Sequence, residues 1–142
     1  MKQDIILFDI DGTVAERTSR GPYDWDRVGE DIPRPAVIRS IRAMVKAENL
    51  PAFGLSGRKD TTSCRIQTVL WLNEHLGFYY QRLYMRAIHD NRPDNVVKSD
   101  IYTRFIKPYF NVVAVWDDRD QVVKMWREEH GLDCFQVAPG NF

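Results

Sequence analysis

The sequence predicts an α/β fold: three layers, with a central parallel sheet and helices packed on both faces. Three observations predict it. Short apolar segments alternate with longer segments of helical periodicity along the 142 residues, as expected for parallel strands joined by right-handed crossovers. No internal repeat, low-complexity run or Ser/Gly linker breaks the alternation, so residues 1–142 read as one domain. Finally, Asp9, Asp11, Ser56, Asp117 and Asp118 all fall where predicted strands end, the edge at which open α/β sheets place their sites.

Taken in order, "DIILFD" (4–9) reads as a short buried strand. "PRPAVIRSIRAMVKAE" (33–48) carries Val37, Ile38, Ile41, Met44 and Val45 at helical spacing, with Pro35 tolerable in the first turn. "PAFGLS" (51–56) is a second strand. "DTTSCRIQTVLWLNEHLG" (60–77) is a helix with Ile66, Val69, Leu70 and Leu76 turned inward, ended by Gly77. "RLYMRA" (82–87) is a third strand, and "RPDNVVKSDIYTRFI" (92–106) a helix that opens on Pro93 and spaces Val97, Ile101 and Phe105 four apart. "VVAVWDD" (112–118) is the most strand-like segment. "QVVKMWREEHG" (121–131) is a helix capped by Gly131, and "CFQVA" (134–138) a last strand.

Composition narrows the function classes. Hydrophobic residues make up 44% and charged residues 28%, which is globular rather than disordered. Twenty basic and 20 acidic residues cancel, so no broad basic surface is expected, although a local patch remains open. Cys64 and Cys134 are too few and too isolated for a disulfide framework or a zinc knuckle. With no charged-then-apolar leader and no membrane-length apolar run, the expectation is a soluble cytoplasmic protein without membrane contact.

The chemistry concentrates in "ILFDIDGT". Residues two apart on a strand face the same side, so Asp9 and Asp11 can serve one site. Gly12 lets the chain turn at once and Thr13 can brace the turn. Asp117 and Asp118 add acid instead of relieving the repulsion. Oxygen ligands clustered without His or Cys suit a hard cation, Mg2+. Lys98 supplies a fixed positive charge near the start of the third helix.

In this order, "DIDGT", "LSGR", Lys98 in "VVKSD" and "VWDDR" resemble the four motifs of the haloacid dehalogenase (HAD) superfamily. Within it, "RGPYDW", "DNVVKSDIY", "DDRDQVVKMWR" and "QVAPGNF" resemble the 3′-phosphatase domains of polynucleotide kinase–phosphatases of the T-even phage type, along essentially the whole chain. The resemblance implies a HAD-like fold and a Mg2+-dependent phosphatase acting on 3′ ends of DNA or RNA, with 2′,3′-cyclic phosphates a further candidate substrate. It makes Asp9 the nucleophile and Asp11 the proton donor, which then becomes the acceptor. Asp9, the backbone carbonyl of Asp11, Asp118 and Asp117 would hold the metal, with Asp117 acting in a second layer or through water. Ser56 and neighbouring backbone N–H groups, such as that of Gly57, would hold a phosphoryl oxygen. Arg20, Arg58 and Asp94 match substrate-binding positions. The arginines would grip oxygens of the scissile or the neighbouring phosphate, and Asp94 would orient Lys98 one helical turn on.

Other features are plainer. His75, His89 and His130 share no ligand spacing, and Trp71, Trp116 and Trp126 sit in core patterns. Tyr23 and Trp25 lie in a loop beside the first motif, where base stacking and loop packing are both open. Asp11 and Ser56 are 45 residues apart and Ser56 and Lys98 are 42, intervals largely filled by core elements, so no large cap domain is expected. No "GxxxxGK[ST]" occurs, so a kinase or ligase partner would be separate, and the oligomeric state stays open. Three readings compete with the leading one: a nucleotidase acting on free mononucleotides, a receiver-type signalling domain, and an inactive binding module. A receiver domain would put its acceptor on a middle strand, and an inactive module would not fill every catalytic position.

Overall fold

The computed structural model describes all residues from Met1 to Phe142. Its elements are β1 (Gln3–Phe8), β2 (Ala15–Glu16), β3 (Ile32–Pro33), α1 (Pro35–Glu48), β4 (Ala52–Lys59), α2 (Thr62–His75), β5 (Tyr80–Arg86), α3 (Asp94–Ile101), β6 (Phe110–Asp117), α4 (Asp120–Lys124) and β7 (Cys134–Gln136). Five strands form one parallel sheet in the order β5-β4-β1-β6-β7. The expected α/β architecture with helices on both faces is the one observed.

Side-chain alternation along β1 shows why it is central. Ile6 and Phe8 join the core layer built by Val37, Ile38 and Ile41 of α1 and Trp71, Leu72 and Leu76 on and after α2. Ile5 and Leu7 join the opposite layer, with Tyr102, Ile106, Val122, Val123 and Trp126. All four β1 residues are at most 1% exposed, and each buried side chain of this size stabilises the fold by about 1.5–3 kcal/mol. The chain leaves β1 toward β4 and β5 on one side and returns to β6 and β7 on the other. This reversal opens a crevice beyond the end of β1.

Several expectations need correction. Ile66 and Leu70 are 54% and 63% exposed, not inward. The buried face of α2 is Cys64, Thr68, Trp71 and Leu72, with Val69 only half-buried. A polar Thr68 is buried there because Arg58 donates to its hydroxyl at 2.9 Å. Phe105 is half-exposed and stacks on Tyr84 instead of filling the core. Strand β4 continues past Ser56 to Lys59, with a register shift against β5 between those two residues. Between Asp11 and α1 the chain makes an excursion that the sequence pattern does not signal: the antiparallel pair β2–β3 and a 3-10 turn over Trp25–Glu30. It is small, and no large cap forms. α3 and α4 each run on into a wider π turn, over Tyr102–Ile106 and Met125–Glu129. No helix is long and apolar enough to cross a membrane.

Candidate active site

Asp9 follows the last residue of β1 and is held there by its backbone N–H, which donates to Trp116 O at 2.9 Å. Lys98 Nζ donates to its Oδ1 at 2.8 Å and Thr13 Oγ1 to its Oδ2 at 2.8 Å. The Thr13 hydroxyl therefore orients Asp9 as well as sitting in the turn. Burial, followed by the charge of Asp117, pushes the Asp9 carboxyl well above its usual range despite Lys98. Lys98 is 2% exposed, and burial would lower its pKa; Asp117 and Asp9 outweigh that and raise it.

Asp117 and Asp118 leave the end of β6 beside Asp9. One carboxylate oxygen from each of these three residues lies within 4.8 Å of the others, and all three residues are buried. Their surroundings differ. Asp117 accepts from Lys98 Nζ at 3.0 Å, Trp126 Nε1 at 3.2 Å and the N–H of Asp118 at 2.9 Å. The Asp118 carboxylate accepts none of these donors; burial and then Asp117 raise its pKa. It packs against Gly12, whose φ of 77° is left-handed and where a β-carbon would collide with the carboxylate. Three buried carboxylates against one lysine leave surplus negative charge, and an all-oxygen donor set fits a hard divalent cation.

Asp11 shares the cleft but its carboxylate stands outside this cluster. Arg58 donates to it through Nε at 3.0 Å and through an Nη at 2.9 Å, and Arg20 through an Nη at 2.8 Å. Burial would raise the Asp11 pKa; Arg58 and then Arg20 reverse that and hold it low. The expected phosphate-gripping role does not fit Arg20 and Arg58. Both are at most 2% exposed and do not line the cleft. Besides Asp11 both donate to Asp31, at 2.7 and 2.8 Å from Arg20 and 2.9 Å from Arg58, and their other N–H groups reach the Gly21 carbonyl from Arg20 and the Thr68 hydroxyl from Arg58. Asp31 is not legible as a site residue. Nothing in "GEDIP" marks it, because its partners are distant in sequence.

Ser56 is fully buried and its Oγ accepts from the N–H of Arg58 at 3.1 Å. Asp94 makes no hydrogen bond to Lys98 and acts on it only through its charge. Arg86 donates to its Oδ1 at 2.5 Å and Arg119 to its Oδ2 at 3.0 Å. Burial would raise the Asp94 pKa, but Lys98 and Arg86 keep it low. Gly57 is where it is because a β-carbon there would meet the Asp94 carboxylate, and its carbonyl accepts from Arg86 Nε at 2.8 Å. The cleft holding Asp9, Asp11, Lys98, Asp117 and Asp118 is about 1290 Å³ and is also lined by Arg17, Tyr23, Trp25, Arg34, Lys59, Arg86, Arg92 and Arg119. His75, His89 and His130 stay outside it.

A parallel sheet whose first strand runs into "DIDGT", with a buried lysine and a paired "DD" from the next strand closing on that aspartate, defines a HAD-superfamily phosphatase. Comparison with known proteins narrows this. The family model for the polynucleotide kinase PNKP phosphatase domain matches residues 3–142, and the chain belongs to that family. It is 34% identical over 134 residues to a putative bifunctional polynucleotide kinase/RNA ligase of Autographa californica nuclear polyhedrosis virus, covering 94% of this chain and 19% of that protein. A chain in the structure of the Pnkp1/Rnl/Hen1 RNA repair complex superposes with a TM-score of 0.91 at 33% identity, over 99% of this chain and 44% of that one. A second structure of the Pnkp1/Rnl/Hen1 complex gives the same score and identity over 48% of its chain. The chain thus spans about a fifth of the curated relative and under half of the solved chains.

Proposed function

We propose that this domain, residues 1–142, removes 3′-terminal phosphates from polynucleotides through a phosphoaspartate on Asp9, with Mg2+ as cofactor. The observation that carries the reading is the buried Asp9 between Lys98 and Thr13, next to Asp117 and Asp118, in a chain of this family. Asp9 attacks phosphorus along a line fixed by these two hydrogen bonds, and the sugar oxygen leaves. Asp11, which Arg58 and Arg20 keep ionised, first takes up a proton from solvent, delivers it to that oxygen as the sugar departs, and then takes one from the water that opens the acyl phosphate. Lys98 offsets charge on the phosphoryl oxygens.

Asp9, Asp118 and the carbonyl of Asp11 would hold the metal, which supplies charge neutralisation for an anionic nucleophile approaching an anionic phosphate. Asp118, to whose carboxylate no lysine, arginine or indole donates, suits direct ligation; Asp117, with three donors, suits a supporting place behind it. Arg20 and Arg58 act on substrate through Asp11, and Asp94 acts through Arg86 and Arg119. The relatives' names support a setting in nucleic acid repair beside a kinase or ligase, on the same or a separate chain.

The test is phosphate release from one oligonucleotide labelled at its 3′ or its 5′ end, in Mg2+ and in chelator. The expected result is rapid 3′ release that requires Mg2+. Equal rates at the two ends would sink the end specificity, and full activity in chelator would sink the metal.

A further inference from the structure

Nine of the fourteen charged side chains lining the cleft are matched by an ion pair. Lys98 pairs with Asp9 and Asp117, Arg86 and Arg119 share Asp94, and Arg92 pairs with Asp90 and Asp100. Three lining cations have no carboxylate partner: Arg17, Arg34 and Lys59. Arg17 donates only to the Arg20 carbonyl, at 3.3 Å. Arg34 donates through a side-chain N–H only to the Gly12 carbonyl, at 2.5 Å, and the Lys59 ammonium has no hydrogen-bond partner. Apart from Asp118, the one lining acid outside an ion pair is the exposed Glu16. The lining charges are seven basic and seven acidic, but the other acids gather at the Asp9, Asp117 and Asp118 cluster and in ion pairs, which leaves Arg17, Arg34 and Lys59 as cations open to an anion.

These cations come from two places. Arg17 and Arg34 flank the β2–β3 pair, in which Ala15 faces Pro33 and Glu16 faces Ile32. Lys59 ends β4. Tyr23, between Arg17 and Arg34 in sequence, lines the same cleft at 81% exposure, with its ring edge-on to Trp25 at 6.2 Å. Trp25 is itself half-buried, with the Arg20 guanidinium 6.0 Å from its ring. The cleft, at about 1290 Å³, exceeds the roughly 300–1,000 Å³ that encloses one small ligand.

We infer that Arg17, Arg34 and Lys59 form a track for the phosphodiester backbone of a single strand entering the site, with Tyr23 as the stacking surface for one of its bases. The inference rests on the 3′-phosphatase reading and deepens it. A mononucleotide places its one phosphate at Asp9 and leaves these cations without an anion; a strand brings further phosphates at backbone spacing. Unpaired guanidinium and ammonium groups beside an exposed aromatic ring are what sequence-independent binding of a single strand requires.

The experiment measures binding, not turnover. The probe is a fluorescent single-stranded oligonucleotide ending in a 3′-hydroxyl, made as DNA and as RNA and titrated at several salt concentrations. Relative to the parent protein, Arg17→Ala/Lys59→Ala should bind about tenfold more weakly on at least one of the two strands. Its salt slope should fall by about 1.4, or about 0.7 for each phosphate no longer neutralised. Tyr23→Ala should weaken binding with the slope unchanged. The control, Lys46→Ala/Lys107→Ala, removes two exposed cations near the opposite end of the strands. Unchanged affinity and slope in the cleft variant, or an equal loss in the control, would overturn the track. A protein that binds in this way yet releases no phosphate would keep the track and refute the phosphatase reading. Release of 3′-phosphate with binding insensitive to these residues would do the reverse.

Discussion

Asp31 fixes the position of Asp11 without touching it. Arg20 and Arg58 each donate to both carboxylates, and the backbone carbonyl of Asp31 accepts from Trp71 Nε1 at 2.8 Å, tying the assembly to α2. Both guanidinium groups would be undercompensated without Asp31. Asp31→Ala should cost on the order of 3–5 kcal/mol of stability, as expected when one partner of a buried pair is removed. Asp31→Asn keeps the shape and one acceptor and should cost less. Both should lower kcat on a 3′-phosphorylated oligonucleotide. Thermal unfolding alongside steady-state kinetics checks this, and an Asp31→Ala protein of parental stability would contradict the buried network.

Asp11→Asn separates proton transfer from phosphoryl transfer. A sugar oxygen leaves poorly without a proton, whereas an aryl phosphate with an acidic phenol leaves without help. The variant should therefore lose on the order of 10²–10⁴ in rate on the oligonucleotide and far less in phosphorylation by the aryl substrate. Pre-steady-state bursts with the two substrates check this. Equal losses would remove Asp11 from acid–base duty.

Asp118→Asn should have opposite effects with and without metal. In the metal-free protein it relieves a buried, donor-poor carboxylate beside Asp9 and Asp117, so the melting temperature should rise by a few degrees, corresponding to about 1 kcal/mol. It should also abolish the added stability that Mg2+ gives the parent. A scan of each protein in Mg2+ and in chelator checks both. A variant that Mg2+ stabilises as strongly as the parent would exclude Asp118 as a ligand.

Much of this is legible in sequence, for identifiable reasons. β1 and β6 are continuous apolar runs because both faces of the sheet are covered, and Asp9, Lys98 and Asp117 follow from motif order. The pattern of α2 misleads because Ile66 and Leu70 are apolar at helical spacing, whereas its true inner face includes Thr68, buried only because Arg58 reaches it. The β2–β3 excursion leaves no trace, since two-residue strands cannot show alternation. The destination of Arg20 and Arg58 depends on Asp31, a tertiary pairing that no local pattern encodes.

Asp94 gives a pH-dependent signature. Its folded pKa is lowered: burial opposes the shift, and Lys98, Arg86 and Arg119 outweigh it. A lowered carboxyl contributes stability that is fully present above its unfolded pKa and is lost as pH falls through the folded value. Asp94→Asn should therefore cost roughly 1–2 kcal/mol at neutral pH, and the gap from the parent should close in the acid range below about pH 4. Denaturant unfolding across pH checks it; a gap that is constant or widens on acidification would contradict the ion-pair account.

In the proposed reaction Asp9 carries the phosphoryl group. The most direct measurement is mass spectrometry of protein quenched in acid while it turns over a 3′-phosphorylated oligonucleotide in Mg2+. The expected result is one phosphoryl group on the peptide containing Asp9, removed by hydroxylamine and missing in Asp9→Asn. Sustained turnover with no adduct on that peptide, or with the adduct on another residue, would contradict it.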